Sequence, residues 1–316
     1  MKKTEKLVSK IVEKKPSRVY IQVPEGLKTR AKEIQALLDK HGVVALVSLD
    51  PCYGACDIKD KDAEEMGCDL LVHLGHTEFC PSERIETIYF PWQYHDIDPV
   101  PSLKEGLKEI EGHERIGLVA SVNFLPVLEK VRGFLESEGF KVFVGSGKAT
   151  REGQVLGCDV SAAKEIEEDV DCFVFIGSGE FHPLGLALES QKTAYRLDLE
   201  EGKLVELDFD RFLRQRIVAV EEAKESEVFG IVVSTKKGQL SPEVAVDIKN
   251  KLEEVGKEGY VFVMDCITPD KLQGIDLDCI INTACPRIAI EHRNAFDVPV
   301  VNLSEFEEIF DSWKSE

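Results

Sequence analysis

The stretch VDCFVFIGS, residues 170–178, has a form that decides how the rest of the chain can be interpreted. An aspartate stands before a short apolar run, and small residues follow the run. The same form occurs twice more, as CDLLVHLGH at 68–76 and LDCIINTAC at 277–285. Short apolar runs bounded in this way are typical of strands buried in a parallel sheet. The three stretches are about 100 residues apart, so the sequence predicts three copies of one structural unit.

Each copy also contains two earlier apolar runs with an amphipathic helix between them. In the first copy, apolar residues recur at helical spacing from Leu27 to Leu38, and Gly42 stands where a C-terminal cap is expected. Gly139 and Gly256 have the same place in the other copies. The first runs cover 17–23, 114–121 and 228–234, and the second runs cover 43–49, 140–145 and 260–265.

Strands that alternate with helices of this length form parallel α/β units. We therefore predict an α/β protein with three similar parallel-sheet domains, at 1–112, 113–207 and 208–316, arranged about a pseudo-threefold axis. Ligands bind at the carboxyl ends of the strands in such sheets, so functional residues are expected in the loops that follow strands. A threefold arrangement would bring one such loop from each domain to a common centre.

Composition excludes some classes of partner. The 316 residues carry a formal net charge of −20, which repels a phosphate backbone, so we expect no nucleic-acid partner. No apolar run reaches the length of about 18 residues that suggests a membrane span, and the N-terminal residues have no signal-peptide pattern. We therefore expect a cytoplasmic protein without a membrane partner, in which the nine cysteines are not disulfide-bonded by default.

The cysteines can be sorted by their place relative to the strands. Cys68, Cys172 and Cys279 lie within or beside the third predicted strands, and we interpret them as core residues. Cys52 and Cys56 have the spacing that opens the C-x-x-x-C-x-x-C signature, but the third place is Lys59. The roles of Cys52, Cys80 and Cys266 stay open at this point, and the histidines at 73 and 76 are expected to be ordinary core or loop residues.

Each predicted domain offers one cysteine in a loop that follows a strand. These are Cys56, Cys158 and Cys285, of which the first two are each followed by aspartate. Three thiolates would hold three irons of a 4Fe-4S cluster and leave the fourth open to a substrate. Zinc would accept three thiolates and a water equally well.

Five motifs at these places resemble a known family. The chain is similar to the diphthamide-synthesis radical enzyme 2-(3-amino-3-carboxypropyl)histidine synthase, in its single-subunit archaeal form. The similarity spans nearly the whole chain in the right order. The motifs are YGACD (53–57), GQVLGCDVS (153–161), FIGSGEFHPLGLAL (175–188), STKKGQ (234–239) and NTACPRI (282–288).

The resemblance implies a transferase that holds a 4Fe-4S cluster through Cys56, Cys158 and Cys285. It implies that S-adenosylmethionine is cleaved at its Cγ,Met–S bond, so that methylthioadenosine is released. The 3-amino-3-carboxypropyl group then joins C2 of a histidine in translation elongation factor 2, the first step of diphthamide biosynthesis. An electron donor and a homodimer are also implied.

Contacts to S-adenosylmethionine are expected from three loops. Two lysines and backbone amides after the third domain's first strand suit a carboxylate, although a solvated turn has the same composition. The arginine of NTACPRI suits the same carboxylate, with a plain salt bridge as the competing interpretation. GSGEFH allows a close backbone approach but also fits a tight strand-to-helix turn. The residues expected to contact S-adenosylmethionine are, in the order of these three loops, Lys236, Lys237, Gly238 and Gln239; Arg287; and Ser178, Gly179, Glu180 and His182.

Two alternatives come from other classes. Quinolinate synthase also has three similar α/β domains and one cluster cysteine in each, but it is a dehydratase that does not use S-adenosylmethionine. The motifs GEFHPLG and STKKGQ favour the diphthamide family. The second alternative is a non-catalytic partner subunit that carries a cluster or zinc, and iron and sulfide analysis would separate it from an enzyme.

Overall fold

A computed structural model describes residues 2–147 and 151–315. These residues form three sheets in which all strand pairs are parallel except one. The chain divides into two compact units. The first contains the chain up to His95 together with Val122–Pro126 and Lys236–Gly238, and the second contains Asp96–Ser121, Val127–Thr235 and the chain from Gln239 onward.

The first unit contains a four-stranded parallel sheet. Its strands are β1 (Arg18–Gln22), β2 (Val44–Ser48), β3 (Leu70–Leu74) and β4 (Thr87–Phe90), and their order is β2-β1-β3-β4. Among the described residues, the α-helices of this unit are α1 (Lys3–Glu13), α2 (Ala31–Asp39) and α3 (Asp60–Glu65), and a 3-10 helix precedes α2 at Glu25–Arg30. The side chains of β3 are all buried, as expected for an inner strand of a parallel sheet.

The second unit contains the other two sheets. One has the order β6-β5-β7-β8-β9, with only β9 antiparallel, and the other has the order β11-β10-β12-β13. The strands of the five-stranded sheet are β5 (Arg115–Ala120), β6 (Lys141–Phe143), β7 (Cys172–Ile176), β8 (Ala194–Asp198) and β9 (Lys203–Glu206). Those of the four-stranded sheet are β10 (Val228–Ser234), β11 (Glu258–Met264), β12 (Cys279–Asn282) and β13 (Val300–Asn302).

Nine further α-helices of four residues or more are found among the described residues, all in the second unit. The longest, α8, carries a side-chain cap, because Asp208 accepts a hydrogen bond from the Arg211 amide at 3.0 Å. They are α4 (Val100–Gly106), α5 (Leu128–Ser137), α6 (Ser161–Lys164), α7 (Phe181–Ser190), α8 (Phe209–Lys224), α9 (Pro242–Glu254), α10 (Pro269–Leu272), α11 (Arg287–Ile290) and α12 (Leu303–Ser315).

The predicted α/β class with three parallel-dominated sheets is confirmed. All nine predicted strands form, and in each sheet the first strand of the copy lies between the second and the third. The capping glycines Gly42, Gly139 and Gly256 all have positive φ, which side-chain-bearing residues rarely adopt. The domain boundaries near 112 and 207 and the pseudo-threefold axis stay predictions.

The repeated aspartates have one structural role in all three sheets. Each carboxylate accepts hydrogen bonds from two successive backbone amides at the start of the neighbouring first strand, at 2.8 to 3.1 Å. Asp69 binds Ser17 and Arg18, Asp171 binds Glu114 and Arg115, and Asp278 binds Glu227 and Val228. These contacts lie at the amino ends of the strands, opposite the edge where ligands bind.

The core predictions for cysteine are confirmed at two of three positions. Cys172 and Cys279 are fully buried. Burial raises the pKa of the Cys172 thiol to about 12 and that of Cys279 still further, so both thiols stay protonated near neutral pH. The prediction for Cys68 is wrong, because this side chain lies before β3 at the edge of an apolar cluster and is only partly buried.

Within the described residues, no helix has both the length and the apolar character needed to cross a membrane.

Candidate functional site

Cys56 lies in a tight turn of the first unit. The Asp57 amide donates to the Gly54 carbonyl at 3.1 Å, which places Cys56 at a central position of the turn, where it is partly buried. The Gly238 amide donates to the Cys56 carbonyl at 2.8 Å, and a Cβ on Gly238 would lie only 2.7 Å from that of Cys56. Position 238 therefore requires glycine, because any side chain would push the two backbones apart.

The aspartate after Cys56 forms a buried ion pair. Lys236 Nζ donates to Asp57 Oδ2 at 2.5 Å, and the two side chains are 4% and 2% exposed. Lys59 Nζ lies 3.6 Å from the other carboxylate oxygen. The side chain of Gln22, at the end of β1, donates to the Asp57 carbonyl and accepts from the Lys59 amide, both at 2.9 Å. These contacts fix the Cys56 turn against the first sheet.

Cys158 lies in a similar turn of the second unit. Leu156 and Asp159 exchange backbone hydrogen bonds of 2.8 and 3.3 Å, and Cys158 between them is exposed. Asp159 Oδ1 accepts from the Ser161 amide at 2.9 Å, where α6 begins. Gly157 packs so closely against the ring of Phe181 that a Cβ there would overlap the ring.

Cys285 lies in the loop between β12 and α11. The Asn282 side chain, which is 2% exposed, donates to the Cys285 carbonyl at 2.8 Å and accepts from the Ala284 amide at 3.1 Å. The same amide group also donates to Asn302 Oδ1 at 2.8 Å. One buried amide side chain thus holds the loop against two neighbouring strands and leaves Cys285 partly buried.

The loops of Cys158 and Cys285 line one cavity of the second unit, with a volume of about 920 Å³. Its lining includes Cys158 and Asp159 from one loop and Thr283, Ala284 and Pro286 from the other. Phe181, at the start of α7, connects the two sides, because it touches Gly157 while the guanidinium of Arg287 lies 5.6 Å from its ring centroid.

The family model described as "Putative diphthamide synthesis protein" matches residues 23–316. The chain belongs to the diphthamide synthesis family.

Relatives in this family match almost the whole chain. The 2-(3-amino-3-carboxypropyl)histidine synthase of Pyrococcus horikoshii is 36% identical over 293 residues, which cover 92% of this chain and 84% of that protein. Subunit 1 of the synthase of Schizosaccharomyces pombe is 31% identical, with coverages of 95% and 72%. The crystal structure of Dph2 from Pyrococcus horikoshii with a 4Fe-4S cluster superposes with a TM-score of 0.88 at 33% identity, covering 98% of this chain and 90% of that one.

The three loop cysteines of this family member suit an iron–sulfur cluster chemically. Cys56, Cys158 and Cys285 lie in loops and are exposed or partly buried, whereas Cys172 and Cys279 are sealed in the core. Thiolates are the ligands of such clusters, and a thiol in a loop is accessible to a metal whereas a thiol in the core is not. The three loop thiols therefore suit a 4Fe-4S cluster, while their assignment as its ligands stays a prediction.

The lysine loop that was expected to contact S-adenosylmethionine is held by the Cys56 region. Besides the ion pair of Lys236, Lys237 Nζ donates to the Pro81 carbonyl at 2.9 Å and lies 3.1 Å from Glu83. Gly238 contacts Cys56 as described, and Gln239 is partly buried in the second unit. The predicted substrate contacts of all four residues stay predictions, but Lys236 and Gly238 also position the Cys56 turn.

The other expected substrate contacts lie around α7 and α11. Arg287 forms an ion pair with Glu291 in addition to its contact with Phe181. His182 stacks on Phe175, with ring centroids 5.5 Å apart. The preceding turn is exposed, and its central glycine has a φ of +76°; the turn consists of Ser178, Gly179 and Glu180. These roles also stay predictions.

Sequence reasoning missed three residues that build the site, namely Asp57 as an ion-pair partner, Phe181 and Asn282. The repeated cysteine–aspartate pair was visible, but no local signal named Lys236 as the partner of Asp57. Phe181 lies inside the quoted GEFHPLG motif, so its bulk between small residues could have singled it out. Asn282 is a polar residue at the end of an apolar run, which is itself a sign that a buried amide serves a specific hydrogen-bonding role.

Proposed function

We propose that this chain is a 2-(3-amino-3-carboxypropyl)histidine synthase that uses a 4Fe-4S cluster and S-adenosylmethionine. The observation that carries the proposal is the cavity of the second unit, where the loops of Cys158 and Cys285 meet in a chain that matches synthases of this name over nearly its full length. A cavity of about 920 Å³ falls in the range of volumes that hold small-molecule ligands.

The proposed ligands of the cluster are Cys56, Cys158 and Cys285. The turn geometry supports them, since hydrogen bonds to neighbouring backbone groups hold each loop. A bound and reduced cluster would supply one electron to the sulfonium.

The proposed transfer moves one carbon group between two partners. The Cγ–S bond of the methionyl part of S-adenosylmethionine breaks, and methylthioadenosine leaves with the sulfur. A carbon–carbon bond forms between that Cγ and C2 of a histidine imidazole, and the hydrogen of C2 is lost as a proton. The overall exchange is redox-neutral: the electron that breaks the Cγ–S bond is given back when the C2 hydrogen leaves as a proton, and this proton replaces the positive charge of the sulfonium.

The task of the chain's own residues is to orient the substrate. The pocket must present the methionyl carbon rather than the ribose carbon to the reactive centre, because both are bonded to the same sulfur. Arg287 is the proposed partner of the substrate carboxylate, since Phe181 and Glu291 already restrain its guanidinium. The exposed turn 178–180 is proposed to approach the substrate through its backbone, and the lysine loop 236–239 completes the proposed contacts.

The protein partners belong to the same proposal. The acceptor histidine is proposed to lie in translation elongation factor 2, which places the reaction in the cytoplasm. The enzyme is proposed to be the archaeal single-subunit form, to act as a homodimer and to receive its electron from a separate donor protein. No nucleic acid or membrane is part of the proposed reaction.

The test is the product pattern of S-adenosylmethionine cleavage. Protein reconstituted without oxygen and reduced with dithionite is incubated with S-adenosylmethionine and an archaeal elongation factor 2. We expect methylthioadenosine in amounts equal to the modified histidine, and no 5′-deoxyadenosine. Formation of 5′-deoxyadenosine, or no cleavage by protein that carries a full complement of iron and sulfide, would overturn the proposal. Protein with Cys158→Ala serves as the matched control.

A further inference from the structure

A second group of metal-binding side chains lies in the first unit, apart from the three loop cysteines. It consists of Cys52, His73 and His76, whose ligand atoms all lie within 4.8 Å of one another. Cys52 Sγ lies 3.8 Å from His73 Nε2, and that nitrogen lies 3.1 Å from His76 Nδ1. Cys52 and His73 are buried, and His76 is partly buried.

The tautomer of His73 is set by Gln22. The Gln22 amide is oriented by its bonds to the Asp57 carbonyl and the Lys59 amide, so its oxygen faces His73 Nδ1 at 3.2 Å. Since a carbonyl oxygen only accepts, His73 Nδ1 carries the hydrogen and Nε2 presents a lone pair. This is the second contact that metal-bound histidines commonly make, in which one ring nitrogen donates to a fixed oxygen and the other binds the ion.

The spacing of two of the three atom pairs suits a zinc ion, and the third pair, Cys52 and His76, lies within 4.8 Å. With Zn–N near 2.0–2.1 Å and Zn–S near 2.3 Å, tetrahedral angles put two nitrogens about 3.3 Å apart and a nitrogen and sulfur about 3.6 Å apart. The observed separations, 3.1 and 3.8 Å, each lie close to these values. A mixed set of thiolate and imidazole ligands also favours zinc over magnesium or calcium, which prefer oxygen.

We propose that Cys52, His73 and His76 bind one zinc ion, with water as the fourth ligand. Cys52 lies in the loop that leads into the Cys56 turn, and His73 lies on β3, so the ion would tie this loop to the first sheet. Zinc at this position fixes the chain four residues before Cys56. It thereby adds to the restraint that Gln22 and Lys236 already provide, and it does not depend on the proposed reaction.

The test measures zinc and iron together in the reconstituted protein. After incubation with zinc and removal of loosely bound metal, we expect one zinc per chain in addition to the iron of the cluster. Cys52→Ser and His76→Gln should each lower the zinc content at least tenfold and leave iron unchanged. Cys266→Ser is the matched control, because this thiol is partly buried and contacts Asp265 rather than a histidine. Its zinc and iron contents should both match those of the unsubstituted protein.

A second measurement separates loss of binding from loss of folding. Cobalt in place of zinc should give a thiolate-to-cobalt absorption band that Cys52→Ser removes and Cys266→Ser keeps. Zinc should also raise the thermal unfolding temperature of the unsubstituted protein and not that of the folded Cys52→Ser variant. Equal zinc content in all variants, or no zinc bound by the unsubstituted protein at a large excess, would overturn the proposal.

Discussion

The turns of Cys56 and Cys158 have similar sequences and different surroundings. Both place a cysteine at a central position, followed by an aspartate. Asp57 is buried and paired with Lys236, whereas Asp159 stays partly exposed and accepts from a backbone amide two residues on. The same local sequence can therefore present a thiol from a loop that a buried ion pair anchors or from an exposed loop, and the difference depends on distant residues.

The largest expected effect is the loss of iron binding when a loop cysteine is substituted. If both turns present a cluster ligand, Cys56→Ala and Cys158→Ala should each abolish stable iron binding, because one of three thiolates is lost. Iron and sulfide content after anaerobic reconstitution measures this, and Cys285→Ala should behave in the same way.

The matched control for these substitutions is Cys172→Ala. It removes a buried thiol that is not a proposed ligand, so it should retain iron and lower stability by about 1 kcal/mol. If Cys56→Ala or Cys158→Ala kept its full iron and sulfide content, the substituted cysteine would not be a cluster ligand, and the two turns would not have the same role.

The next largest expected effect is a loss of stability when the buried ion pair between Lys236 and Asp57 is removed, a pair with no counterpart described at the Cys158 turn. Lys236→Met leaves the Asp57 carboxylate buried without its nearest cation, a change that costs about 3–5 kcal/mol in other proteins. Lys59, 3.6 Å away, should keep the loss near the lower end of that range. Urea unfolding followed by circular dichroism measures the loss.

Lys237→Met tests whether the stability loss expected for Lys236→Met results from the burial of its ion pair. The Lys237 side chain is 30% exposed, its nearer carboxylate neighbour Glu83 is more exposed still, and the buried carboxylate of Asp60 lies farther away, at 3.9 Å, so the loss should be within about 1 kcal/mol. Equal losses for the two lysine variants would show that the buried pair is not what distinguishes the Cys56 turn.

These two turns also show how far sequence reasoning reaches. The strands and capping glycines could be predicted because their signals are local, such as an apolar run or a glycine where φ must be positive. The partners of Asp57 and Gly157 could not, because Lys236 lies 179 residues away and Phe181 reaches Gly157 only when α7 packs. The fourth strand of the first sheet was missed for a related reason. Thr87–Phe90 is only partly buried along its whole length and has no strong apolar period.

A smaller effect should separate the glycines of the two turns. Gly157→Ala forces a methyl group into the Phe181 ring, and overpacking of this kind costs about 1–3 kcal/mol. Gly54→Ala meets only the Cys56 sulfur, at an ordinary contact distance of 3.4 Å, so it should change stability by less than about 0.5 kcal/mol. Thermal unfolding of the two variants side by side would measure the difference, and equal shifts would contradict the packing seen at Phe181.

The smallest effect at neutral pH should come from the amino ends of the strands, where the three sheets have the same aspartate contacts and the turns play no part. Hydrogen bonds from the Glu114 and Arg115 amides, together with the Arg115 guanidinium, hold the pKa of Asp171 well below its usual range. Because the folded pKa is depressed, the unfolded chain takes up the proton first as pH falls through about 4. The stabilisation is therefore present above that pH and is lost as pH falls below it.

Asp171→Asn removes this titration and keeps the size of the side chain. We expect the variant to lose stability at pH 7 and to show a shallower loss than the unsubstituted protein between about pH 5 and pH 2, the region where a depressed carboxyl group titrates. Chemical unfolding at a series of pH values measures both slopes. Asp159→Asn, at the exposed turn, is the comparison variant, since its carboxylate accepts one amide rather than two. If the stability of Asp171→Asn and that of the unsubstituted protein fell equally steeply with decreasing pH, the charge of Asp171 would contribute nothing to stability.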